Sequence, residues 1–171
     1  MAIDRQELWE KTQFPNCLGC LDGKHCILKK PKKSGALYHN YKGIFSIVLL
    51  TLCDARYRFL FMDIGSLVTT MMQASIIRQG GGTAPGHNTL ENGTLNLPPL
   101  SSLPTTQLLT PYVVVDDGAF PLNTYLMKPF AGRNPPPEND VFNYRLSRCR
   151  RQIENTFGIY SNMWRLLLKP I

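Results

Sequence analysis

No apolar run in this chain reaches bilayer length. The longest, Ile44–Cys53 (IFSIVLLTLC), is ten residues, about half of what a spanning helix needs. The first eleven residues, MAIDRQELWEK, are charged and lack an apolar stretch, so they read as a short amphipathic helix rather than a secretory signal. Acid is scarce: 12 Asp and Glu face 19 Lys and Arg, for a net charge of +7. That surplus favours polyanionic partners, nucleic acid before an acidic membrane surface. Cysteine is sparse and odd in number, five in all, each in or beside an apolar run. A reduced intracellular compartment fits this better than a disulfide framework. Cys17-x-x-Cys20 lacks the second pair of a closed zinc site, which favours buried thiols. Gly80–Gly82 lacks the lysine and spacing of a P-loop, so nucleotide binding is not supported. Asn92-Gly93-Thr94 matches a glycosylation sequon, but without a secretory signal it reads as chance.

What is present suits a folded domain. Hydrophobic residues make up 43% of the 171 and charged residues 18%, which argues against global disorder. Residues 17–28 (CLGCLDGKHCIL) read as a strand with Leu18, Cys20 and Asp22 on one face by period-2 alternation. Asp22 is either an acid on an apolar face or the first residue of an Asp-Gly turn. The basic turn KKPKK (Lys29, Lys30, Lys32, Lys33) follows. It reads as a nuclear-import patch, a phosphate-contacting loop or a plain solvated turn. Residues 38–42 interleave aromatic and basic groups, a weak nucleic-acid pattern. Residues 45–52 and 57–64 are two further strands of an antiparallel meander, and residues 69–78 have helical spacing. Residues 79–111 are rich in Gly, Pro, Ser and Thr and read as a long flexible loop.

Tyr112–Leu122 (YVVVDDGAFPL) then drives three valines into two carboxylates, the pattern of a buried strand that presents an acid at its end. A short helix is expected within 121–128 and a polyproline-like spacer at 133–138. In 141–160, Phe142, Leu146, Cys149, Ile153 and Phe157 recur every three or four residues, one buried helical stripe. Glu154 falls on its flank, with Arg148, Arg150 and Arg151 nearby. An acid there beside guanidinium groups suits a metal and a phosphate, or else a plain i,i+4 pair.

The coarse order is three strands, a helix, a fourth strand, a helical connection and a last helix. Acids stand on the first strand (Asp22), after the fourth (Asp117) and in the last helix (Glu154). This is the layout of an α/β, RNase H-like mixed sheet: an antiparallel three-strand meander, a parallel fourth strand beside the first, and flanking helices. Carboxylates so gathered suit hard divalent cations such as Mg²⁺, which serve phosphoryl chemistry.

The stretches FPNCLGCLDGKH, SGALYHNYKGIFSIVLL, YVVVDDGAFPL, YLMKPF, VFNYRLSRCRRQIENTFGI and MWRLLLKPI resemble the DDE endonuclease domain of PIF/Harbinger-type transposases and their domesticated relatives. The resemblance runs from Phe14 to Ile171, with residues 1–13 as a lead-in. It implies a nuclease that uses Mg²⁺ or Mn²⁺ to cut DNA, with Asp22, Asp117 and Glu154 as catalytic metal ligands. Lys29, Lys30, Lys32, Lys33, Arg148, Arg150 and Arg151 are the expected DNA contacts. A nuclear location is expected, with the cytoplasm as a second site, and a Myb-like DNA-binding partner is implied. Two departures stand out. Asp116-Asp117-Gly118 replaces the usual Gly followed by two acids, so Asp116 competes with Asp117 for the second ligand. Residues 67–75 lack the usual acid. A truncated or domesticated copy is expected, either active or a catalytically inactive DNA- or protein-binding remnant.

Overall fold

The computed structural model describes residues 5–66, 98–119, 122, 124–165 and 169–171. The expected helix at 69–78 and residues 79–97 of the loop expected at 79–111 lie outside these residues.

A short helix, α1 (Arg5–Thr12), leads into the sheet. β1 (Cys17–Ile27) is the central strand. β2 (Ser46–Cys53) and β3 (Phe59–Ser66) follow as an antiparallel meander. The small hairpin β4 (Ser101–Ser102) and β5 (Leu109–Thr110) forms a separate two-stranded sheet among the described residues. β6 (Val113–Val115) and β7 (Leu126–Met127) complete the sheet, and α2 (Pro137–Met163) crosses it. The strand order is β3-β2-β1-β6-β7, with β6 and β7 parallel to β1. This mixed five-stranded sheet with flanking helices is the RNase H-like fold expected from the sequence.

Both faces of the central strands are apolar because both are covered. Cys17, Cys20, Val113 and Val115 pack with Leu8 of α1 and with Leu146, Cys149, Ile153 and Phe157 of α2. Leu18, Leu21, Leu50, Leu52, Tyr112, Val114 and Leu126 pack on the other face. All five cysteines are buried free thiols. At Gly19 the chains approach so closely that an added Cβ would sit 2.5 Å from the Cys53 carbonyl oxygen. The β1–β6 register shifts just there, between Cys17 and Gly19.

Four expectations need correction. The segment expected to hold a short helix instead contributes β7. Val114 and Asp116 donate backbone hydrogen bonds to the Tyr125 and Met127 carbonyls, so the free edge of β6 recruits it as a strand. Residues 98–111 are not loop throughout. Asn16 Nδ2 donates to the Ser101 and Thr110 carbonyls and to Thr110 Oγ1, tying the β4–β5 hairpin to the start of β1. The polyproline spacer gives way to helix at Pro137, since proline suits the first helical turn, where its missing N–H has no partner to lose. β3 begins two residues later than expected. Asp54, 3% exposed, accepts from the Arg56 and Arg58 amides and from Arg58 Nε, so the turn extends to Arg58.

Candidate active site

β6 is short, and its end sets the site. Cys20 lies level with Val115 across the parallel pair. Asp22 lies two residues further along β1, and Asp117 follows the end of β6 by two residues; continued alternation turns both toward the α2 side, and the Asp117 charge acts on Asp22. Cys20 and Val115 both face α2, so the two acids continue an apolar column at the point where its packing ends. Asp22 is therefore a mid-strand acid and not a turn residue: β1 runs through Asp22-Gly23 to Ile27.

The same alternation separates the two candidates after the valines. Asp117 shares the face of Val113 and Val115 and is exposed. Asp116 follows Val114 toward the opposite face, is fully buried, and accepts the Gly118 amide at Oδ2. Asp117 is thus the partner of Asp22. Gly118 has φ +101, a conformation L residues rarely adopt. The exchange of an acid for glycine goes with this turn of the backbone.

The electrostatics of Asp22 report its neighbours. Burial raises its carboxyl pKa above the ordinary aspartate value, and the charges of Asp117 and Glu154 push it further up. The Gly23 amide and the Arg150 guanidinium pull the other way. All three acids are therefore within electrostatic reach of one another. Asp22 Oδ1 accepts the Gly23 amide at 2.7 Å and Asp117 Oδ1 accepts the Ala119 amide at 2.9 Å. Oδ2 of each has no protein partner among the described residues. Two hard carboxylate oxygens on neighbouring strands fit a divalent cation of the Mg²⁺ type. The third ligand is not drawn in. Glu154, with its side chain 54% exposed, lies 3.6 Å from Arg150 Nη2. No group of three His, Cys, Asp or Glu side chains is close enough to hold a metal ion among the described residues.

The basic residues divide by position. Arg150 flanks the acids, and its Nε is buried without a hydrogen-bond partner among the described residues. Arg148 is two residues away, about 200° around the helix. Its Nη2 donates to the Lys11 carbonyl at 2.7 Å, so it closes the C-terminal end of α1 instead of facing the acids. Arg151 is exposed. Lys29, Lys30, Lys32 and Lys33 follow the far end of β1, all outside its pairing with β2. Lys24 was not foreseen. It lies two residues beyond Asp22 on the same face, about 7 Å along the strand, with Nζ 5.4 Å from the Phe157 ring centroid. Period-2 alternation from Asp22 was the signal that could have found it.

A cavity of about 430 Å³ opens elsewhere. Phe14, Pro111, Val113 and Phe142 line it, at the start of β6. It is apolar and lies at the opposite end of β6 from Asp117, so it is not the acid site.

Residues 21–171 match the family model described as DDE superfamily endonuclease. The chain belongs to this family. Its acids on β1, after β6 and on α2 are thus read within a nuclease family, in agreement with the Harbinger-type resemblance. Among curated proteins it is similar to Protein ALP1-like of Arabidopsis thaliana, 26% identical over 157 residues. That alignment covers 90% of this chain and 37% of the relative, so the chain spans just over a third of that protein's length. No solved structure matches.

Proposed function

We propose that this chain is a metal-dependent DNA endonuclease domain, of transposase origin, that cuts phosphodiester bonds. The observation that carries the proposal is that Asp117, just past the end of β6, and Glu154 of α2 both act electrostatically on Asp22 of the neighbouring parallel strand β1. Asp22 and Asp117 would hold Mg²⁺ or Mn²⁺, with Glu154 of α2 as the third ligand. When bound, such an ion supplies an electrophile for the phosphate oxygens and acidifies water for attack. Burial and like charge raise the Asp22 carboxyl, and a cation offsets that cost. Glu154, now beside Arg150, would complete the ligand set with the two aspartates, and the Arg150 guanidinium would bind the scissile phosphate. Lys24 supports the phosphate from β1. The lysines after β1 and Arg151 hold the DNA backbone, and a DNA substrate makes the nucleus the site of action.

The second reading is a catalytically inactive DNA- or protein-binding remnant. The Arg150–Glu154 pair favours it, because it keeps the third acid away from the other two. Plasmid nicking with Mg²⁺ or Mn²⁺ separates the readings. Wild type should nick, and Asp117→Asn and Glu154→Gln should each lower the rate by about 100-fold or more. Chelation by EDTA should abolish it. A wild-type protein that cuts no better than either variant leaves the binding remnant as the function.

A further inference from the structure

Beyond its backbone-holding lysines, the loop between β1 and β2 has a tip built in a way that phosphodiester cleavage does not require. Between Leu28 and Phe45 the sequence holds five lysines and no carboxylate. At its apex Asn40, 4% exposed, acts as an internal anchor. Its Oδ1 accepts the Lys42 and Ile44 amides at 2.9 and 3.2 Å, and its Nδ2 donates to Ser46 Oγ at 2.8 Å. The Asn40 amide donates to the Ile44 carbonyl, and Gly43, at φ +76, closes the turn by donating to the Asn40 carbonyl. A buried side chain therefore fixes the two residues at the tip, Tyr41 and Lys42.

Tyr41 is 76% exposed. Its ring meets the His25 ring edge-on, with centroids 5.9 Å apart, and Lys42 Nζ lies 5.5 Å from its centroid. His25 is itself held, with Nδ1 3.0 Å from Ser46 Oγ. Burial and the Lys42 charge keep its pKa below the ordinary histidine value. Nearby, Lys30 Nζ lies 5.5 Å from the Phe45 ring centroid. A merely solvated basic turn has no need of a large aromatic at its tip or of a buried network to fix it. Aromatic faces among cations, with no acid in the segment, match the way proteins hold unpaired bases; bases stacked within a duplex do not offer their faces.

We propose that Tyr41, backed by His25 and Lys42, is a stacking platform for a base of single-stranded DNA, with the surrounding lysines on its phosphates. The assignment to DNA rests on the endonuclease reading; the binding itself needs no metal. His25 lies three residues past Asp22, about 10 Å along β1, on the opposite face. β6 ends level with Cys20, so among the described residues β1 is paired past that point with β2 alone, until Ile171 bonds to Ile27 and Lys29. A strand released at the acids reaches the platform over this open edge.

The test is fluorescence anisotropy of a labelled oligonucleotide in EDTA, presented single-stranded and as duplex to the 171-residue chain. Wild type should prefer the single strand. Tyr41→Ala should weaken single-strand binding by about 5- to 150-fold and leave duplex binding unchanged. Tyr41→Phe should keep the wild-type affinity, and circular dichroism should show both variants folded. The proposal is overturned if Tyr41→Ala binds single strands as wild type does, or if it loses duplex and single strand equally. Tighter binding of single-stranded RNA of the same sequence overturns the assignment to DNA. A chain that keeps the Tyr41-dependent preference but does not nick retains the platform and loses the nuclease reading. The converse outcome does the reverse.

Discussion

β1 is buried without a break from Cys17 to Leu21 and only half-buried from Asp22 to His25. The two stretches are one strand, paired to β2 from Cys20 onward, yet they serve different ends. The first is covered by β6 and sealed by α1 and α2, so every side chain is apolar or small. The second begins where β6 stops, and there the chain places an acid, a lysine and a histidine. A strand that loses one neighbour stays ordered through the other, which leaves a rigid, partly solvated segment for polar side chains. The comparison teaches that the length of β6, three residues, decides where the core ends and the candidate chemistry begins.

The comparison breaks most clearly in its sealed half. Ile153 is fully buried on α2 against β1 and β6. Ile153→Ala should cost about 2–5 kcal/mol, seen as a fall of roughly 4–20 °C in thermal midpoint. An unchanged midpoint would mean that α2 does not rest on the sheet.

In the open half the sign should reverse. The folded pKa of Asp22 is raised above its unfolded value of 3.8. The stability linked to that shift is fully present below the unfolded pKa and is lost as pH rises through the folded one. At neutral pH the ionised carboxylate is therefore a burden. Asp22→Asn keeps the Oδ1 acceptor for the Gly23 amide while removing the charge. Thermal melts from pH 3 to 8 should show the variant more stable than wild type at neutral pH, with the gap closing on acidification, while nicking is lost. A variant less stable than wild type at pH 7 would remove Asp22 from the class of acids kept at a cost to stability.

The smallest effect is expected at the rim. The Arg150–Glu154 pair is largely solvated on its Glu154 side. A double-mutant cycle with Arg150→Gln and Glu154→Gln should give a coupling below about 1 kcal/mol. A larger coupling would mean that the pair is structural and that Glu154 is not available to a cation.

Much of the fold was legible because its signals are local. The alternation around Leu18, Cys20 and Asp22, the valine run and the stripe from Phe142 to Phe157 each follow from burying one face of one element. β7 was missed because Leu126 and Met127 have no strand pattern of their own; only the unsatisfied edge of β6 makes them a strand. The start of α2 was missed because a run of prolines reads as extended until its last member is placed at the first helical turn. Arg148 and Arg150 look alike in sequence, and only packing directs one to the Lys11 carbonyl and the other to Asp22.

By itself the sequence determined the family, the antiparallel meander with the valine strand beside its first strand, and the three acids worth weighing, since these rest on residue types and spacing. Only tertiary structure buries Asp116 and leaves Asp117 exposed near Asp22, and only packing carries Arg148 to the Lys11 carbonyl while Arg150 stays beside Asp22. Side-chain direction depends on the register between β1 and β6, and register is a property of two strands together that neither carries alone.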